Sequence, residues 1–252
     1  MDMKLALSPA KYIFKRLRRL AWLLLGPPPA TPESYIGDNG CIRCAASFLA
    51  WNQIVGDYLE FGVYEGNSFA EAYRSISRAR SNVKQFIGKP EVDAWYRNPP
   101  KYFAFDSFNG LPEGPFERHA DYYEGAYKCS EEAFLQNIRA GGVELSDVVT
   151  VPGFYDQSLN SNTKERLKLS RAATILIDCD LYESTVPVLD FITSLVVQGT
   201  IIIFDDWYRY GGRPDQGEQR ACAEWLERNP QIELVQYWQQ GPQTVAFLVN
   251  LR

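Results

Sequence analysis

The sequence predicts an α/β fold built on a mostly parallel sheet of seven strands, closed by an antiparallel C-terminal hairpin and preceded by an N-terminal helical extension. Three observations carry this. Five short apolar runs alternate with segments of helical spacing, the runs are nearly continuous in apolar residues, and only "QQGP" separates the last two. Continuous apolar strands between helices indicate a sheet covered on both faces. A link that short permits only an antiparallel turn-back.

The elements follow in order. "CIRCAASFLAWNQIV" has helical spacing. "DYLEFGV" is strand one and "GNSFAEAYRSISRA" its helix; "KYFAFD" is strand two. "SEEAFLQNIRAGGV" is a helix with Ser130 as N-cap and glycines at its end. "DVVTVPG" is strand three and "NTKERLKLS" a short helix. "ATILIDCD" is strand four, with a helix through "VPVLDFITSLV"; "GTIIIFDDW" is strand five, with a helix in "GEQRACAEWLERN". "QIELVQYW" and "QTVAFLVN" form the hairpin.

Two regions are expected: a basic segment and proline-rich linker over residues 1–35, then one α/β domain over 36–252. Residues 4–25 contain "YIFKRLRRLAWLLL", a basic amphipathic helix. Such a helix suits an anionic membrane surface, a dimer contact or a resting place on the domain. No run reaches the roughly 18–20 apolar residues that cross a bilayer. The net charge of −5 argues against a nucleic-acid partner. Five scattered cysteines read as reduced thiols of a cytoplasmic protein, and one histidine leaves Cys41 and Cys44 too few partners for zinc.

This strand layout is that of class I methyltransferases, in which ligands bind beyond the carboxyl ends of the strands, near the switch point. The strand-one turn, "LEFGVYEGNS", offers glycines that let backbone approach a ligand and N–H groups that hold a carboxylate. Glu60 there is suited to an ammonium group. Its G-x-x-x-G spacing lacks the dinucleotide fingerprint. Asp106 ends strand two, where an acidic residue receives both hydroxyls of a ribose, as suits NAD or S-adenosylmethionine. The turn spacing and Glu60 favour S-adenosylmethionine.

Strands four and five end in Asp178 and Asp180, and in Asp205 and Asp206. Neighbouring strands would bring Asp178, Asp205 and Asp206 together, and carboxylates so crowded need a positive partner. Oxygen-only ligation favours Mg²⁺, with Mn²⁺ or Ca²⁺ as alternatives. Asp178 would then hold two neighbouring acceptor oxygens through that ion, and Asp180 would take the proton. His119, the one histidine, lies in a long polar and aromatic loop placed to close over the pocket and reads as a surface residue there. Trp207, Tyr208, Tyr122 and Tyr123 are the expected stacking surfaces.

The pieces "DYLEFGVYEGNSF", "FAFDSFNGLPE", "VPGFYDQSL", "ILIDCDLYEST", "IIIFDDW" and "GEQRACAEWL" occur in order over about residues 57–226. Together they resemble the macrocin O-methyltransferase (TylF) family, which methylates sugar hydroxyls of glycosylated natural products. The resemblance implies metal ligation by Asp178, Asp205 and Asp206, with Asp180 as general base. It implies S-adenosylmethionine contacts at Gly62, Val63, Tyr64, Glu65, Gly66 and Ser68, at Asp106 and Ser107, at Asp178, and near "GFYDQ", where Asp156 or its neighbours face the adenine. It also implies a dimer or higher assembly. The acceptor expected is a vicinal diol on a sugar. A catechol presents the same two-oxygen chelate. A non-catalytic cofactor-binding scaffold in a glycan-synthesis complex is a third reading, against which the four aspartates speak.

Overall fold

A computed structural model describes residues 39–83, 88–114 and 121–252. The basic segment, the linker and His119 lie outside the described residues.

The chain enters through α1 (Gly40–Asn52), which carries Cys41 and Cys44 as free thiols on a helix. There follow β1 (Asp57–Phe61), α2 (Asn67–Val83), α3 (Pro90–Arg97), β2 (Tyr102–Asp106), α4 (Glu131–Ala140), β3 (Val148–Pro152), α5 (Tyr155–Ser158), α6 (Ser161–Leu167) and β4 (Ala172–Ile177). The chain ends in α7 (Tyr182–Ile192), β5 (Val196–Phe204), α8 (Gly217–Arg228), β6 (Ile232–Gln240) and β7 (Thr244–Leu251). Among the described residues no helix is long and apolar enough to cross a membrane.

The seven strands form one sheet in the order β3-β2-β1-β4-β5-β7-β6. All neighbours are parallel except β5–β7 and β6–β7, as expected of the hairpin. Side chains alternate between faces along each strand. Tyr58, Tyr102, Leu176 and Ile203 therefore enter one core with Phe69 and Phe134, while Phe61, Phe105, Ile177 and Phe204 enter a second with Phe191 and Trp225.

Ser130 caps α4, its hydroxyl accepting from the Ala133 N–H at 3.2 Å. Some elements differ from expectation. α3 was not anticipated, because residues 84–100 are polar and interrupted by proline; it starts on Pro90 and buries Trp95 beneath the Arg80 guanidinium. α5 is a single turn. α7 begins and ends four residues before the apolar run suggested, and β5 starts at Val196.

The order reverses between β1 and β4, which places the switch point between them. Phe105, Phe61, Ile177 and Phe204 pair across the sheet, so the residues that follow them, Asp106, Gly62, Asp178 and Asp205, form one row at the carboxyl edge. The ladder extends through that row: the Asp178 N–H donates to Phe61 O at 2.9 Å and the Asp205 N–H to Ile177 O at 3.0 Å.

Candidate active site

At the strand-one turn, Gly62 holds φ +86°, and a Cβ there would stand 1.7 Å from the Asp178 carbonyl oxygen. Only glycine lets β1 and β4 approach so closely at their ends. Gly66, φ +83°, is likewise closed by Ile138, 2.4 Å from where a Cβ would be. Glu60 is fully buried beneath the turn. Its carboxylate accepts from the Tyr58 and Ser68 hydroxyls, each at 2.5 Å, and burial pushes its pKa up to about 8. Each oxygen of the side chain expected to face an ammonium group thus already accepts one hydrogen bond within the protein, because the strand's alternation turns it inward.

Asp106 ties the turn to β2. One oxygen accepts from the N–H groups of Val63 at 2.8 Å and Tyr64 at 3.3 Å, the other from Phe108 at 2.7 Å. The amides expected to hold a ligand carboxylate therefore meet this side chain. A carboxylate has about four acceptor positions, so Asp106 keeps capacity toward the cleft it lines. Ser107 folds the next turn, donating to Gly110 O at 2.8 Å.

A cleft of about 720 Å³ opens over the row. That lies within the range of ligand sites, about 300–1,000 Å³. Gly62, Tyr64, Asp106, Ser107, Asp156, Asp178, Asp180, Asp205 and Asp206 all stand on its wall. A smaller cavity of about 230 Å³ shares Tyr64, Asp178 and Asp205, and is lined by Val63, Glu65, Gly66 and Ser68.

Asp178, Asp180 and Asp206 each offer an oxygen within 4.8 Å of the others. Burial, then the nearby Asp205, pushes the Asp178 pKa well up; burial and Asp206 raise that of Asp180 to about 8. Asp180 has a left-handed φ of +64°, with the Leu181 N–H closing a three-residue turn on Cys179 O at 2.6 Å. Expected among the ligands, Asp205 stands outside this closest group. Its carboxylate accepts from the Thr244 hydroxyl at 2.9 Å on β7, and burial raises its pKa. Successive residues at a strand end point to different sides, so an adjacent pair does not converge as a unit.

A further acid, Glu218, was missed. It opens α8, is 1% exposed, and accepts the Asp206 N–H at 3.0 Å. Its other oxygen is buried with no hydrogen-bond partner, and burial together with the surrounding aspartates pushes its pKa well up. The available signal was an acid directly after a glycine at a helix start, downstream of the Asp-Asp pair.

The loop from Asp121 reaches over the cluster. Tyr122 packs with Leu111, Ala126 and Leu181, and its hydroxyl donates to Asp206 at 3.4 Å. Arg209 lines the cleft and pairs with Asp121. Of the expected aromatics, Trp207 packs on Phe204 and Phe247, and Tyr123 is exposed. Tyr64, Tyr127, Phe154 and Tyr155 form the aromatic wall.

The donor set fits a hard divalent cation: carboxylate oxygens only, partly desolvated, with proton affinities raised by burial first and by neighbouring carboxylates second. Asp178, Asp180 and Asp206 are the three acids whose oxygens lie closest together, with Asp205 beside them.

The family described as Macrocin-O-methyltransferase (TylF) matches residues 91–222. A relative named 8-demethyl-8-(2,3-dimethoxy-alpha-L-rhamnosyl)-tetracenomycin-C 4'-O-methyltransferase, from Streptomyces olivaceus, is 26% identical over 171 residues, covering 65% of this chain and 57% of its own. A chaperone protein HscA homolog of Vibrio campbellii (strain ATCC BAA-1116) is 27% identical over 145 residues, 54% of this chain but 22% of its own. The chain thus spans a little over half the length of the first relative and about a fifth of the second. The structure of the O-methyltransferase NovP superposes with a TM-score of 0.59 at 22% identity, covering 83% of this chain and 78% of that one. That likeness shows the fold.

Proposed function

This chain belongs to the macrocin O-methyltransferase (TylF) family, and on that premise we propose that it is an S-adenosylmethionine-dependent O-methyltransferase. Its reaction would be metal-dependent, moving a methyl group onto one hydroxyl of a vicinal diol, on a sugar of a glycan or glycosylated natural product. The observation that carries this reading is the convergence of Asp178, Asp180 and Asp206 at one end of the cleft. The name of the Streptomyces olivaceus relative, which describes a rhamnosyl 4'-O-methyltransferase, supports a sugar acceptor.

The chemistry divides between bound groups and the chain. S-adenosylmethionine supplies a methyl group on a positive sulfur; a Mg²⁺, Mn²⁺ or Ca²⁺ ion supplies Lewis acidity that makes an acceptor hydroxyl easier to deprotonate. Asp178 and Asp206 would hold the ion, with Asp205 braced by Thr244 at their side. Asp180 would take the acceptor proton as the oxygen gains the methyl group. Asp106 would hold the strand-one turn and face the ribose, and the Tyr122 loop would exclude water.

A methyl-transfer screen tests the proposal. Glycosides with free vicinal hydroxyls, their monodeoxy analogues and catechols are incubated with S-adenosylmethionine, with and without Mg²⁺. Methylation of diol glycosides alone, and only with the ion, is expected. Equal transfer to the deoxy analogues would overturn the diol, and preferred transfer to catechols the sugar.

A further inference from the structure

We propose that Tyr210 is a positioning residue that holds the Asp180 carboxylate in the acidic cluster. This rests on the reading of Asp180 as the group that accepts the proton.

Asp180 occupies a backbone shape that it would not hold unaided. Its φ of +64° and the bond from the Leu181 N–H to Cys179 O make it the centre of a γ-turn with a left-handed middle residue, a rare and strained form. Strain of this kind persists where the surroundings over-determine it. Its side chain also stands beside Asp178 and Asp206, acids that repel one another when ionised. Both effects favour relaxation of the 179–181 turn away from the cluster.

Tyr210 opposes that relaxation. Its hydroxyl donates to the Asp180 carbonyl oxygen at 3.2 Å, gripping the strained peptide itself. The ring is fixed from two sides. Gly217 lies under it, where a Cβ would stand 2.5 Å from Cε2, and Tyr122 lies 6.2 Å away between centroids. Asp206 is four residues earlier in the same segment. One hydrogen bond therefore ties the loop after β5 to the loop after β4, setting the spacing of the two acids each loop carries.

Tyr210→Phe removes the hydroxyl and keeps the ring. A roughly 10-fold fall in kcat is expected, between the loss of one hydrogen bond and the larger loss of a displaced catalytic group. KM for S-adenosylmethionine and calorimetric affinity for S-adenosylhomocysteine should stay within about twofold, since the hydroxyl bonds to Asp180 O and not to the strand-one turn or Asp106. In an Asp180→Asn background the same change should cause no further loss. A crystal structure of Tyr210→Phe should show the 180–181 peptide rotated.

Full turnover in Tyr210→Phe overturns the proposal, as does the same fold loss in both backgrounds. Where Asp180→Asn leaves too little turnover to compare, an unmoved Asp180 in the crystal overturns it. Wild-type turnover in Asp180→Asn alone would instead sink the functional reading of Asp180. A crippled Asp180→Asn beside an unimpaired Tyr210→Phe would sink only the clamp.

Discussion

Replacing Gly62 by alanine probes the close approach on which the site depends. Two penalties can be separated. The first is backbone: an L-residue at φ +86° pays about 1–2 kcal/mol for a left-handed shape. The second is steric. The new methyl would lie 1.7 Å from the Asp178 carbonyl oxygen, whereas ordinary contact begins at 3.4 Å, so the ends of β1 and β4 must part by about 1.7 Å. A displacement near 1 Å costs a catalytic group about 10²-fold. Gly241→Ala is the control. It has φ +57° in the β6–β7 turn with nothing within 4 Å, so it carries the backbone penalty alone. Its melting temperature should fall by about 2–8 °C, at the usual few degrees per kcal/mol for this size, with turnover unchanged. Gly62→Ala should melt lower still and lose at least about 10²-fold in kcat. Differential scanning fluorimetry and a methyl-transfer assay read the two terms. If Gly62→Ala melts with Gly241→Ala and turns over within a few-fold of wild type, the inferred strand-end contact does not govern the site.

Three further outcomes are expected. Glu218→Gln keeps an acceptor for the Asp206 N–H while removing a buried acid, so stability at pH 8 should be equal or higher; Glu218→Ala strands that N–H and should cost about 1–3 kcal/mol in urea unfolding. Asp180 and Glu60 have pKa values near 8 in the fold against 3.8 and 4.5 ordinarily. Between about pH 4 and 8 the unfolded chain therefore binds fewer protons than the fold, and in chelator the melting temperature should decline as pH rises through 8; an increase over that window would contradict the assignment. Asp106→Ala removes the acceptor of three backbone N–H groups and should weaken S-adenosylhomocysteine binding at least about 10-fold by calorimetry, unchanged affinity being the contrary result.

The strand framework was legible because its apolar runs are short, nearly continuous and flanked by turns. The row of Asp106, Gly62, Asp178 and Asp205 followed from placing each at a strand end. The direction of each side chain was not legible. Glu60 faces inward to Tyr58 and Ser68, and Asp205 faces Thr244, a partner 39 residues away that no local pattern announces. Glu218 joins the site only because α8 folds back under the β5 loop. The aromatic wall was hidden for the same reason, since Trp207 packs half-buried on Phe204 and Phe247 while Tyr64 and Tyr127 line the cleft. α3 buries Val92 and Trp95 on one face, but at eight residues that stripe is short and was hidden among prolines and charges. The basic segment at residues 4–25 and His119 fall outside the described residues, so their expected roles stand as read from sequence.

One measurement bears most directly on the crowded acids: binding of Mg²⁺ to the metal-stripped protein by titration calorimetry, run beside Asp178→Asn and Asp206→Asn. The wild type should take up one equivalent with release of protons at pH 7, and each variant should bind at least about 10-fold more weakly. No uptake by the wild type, or equal uptake by all three, would mean that these carboxylates serve some purpose other than holding an ion.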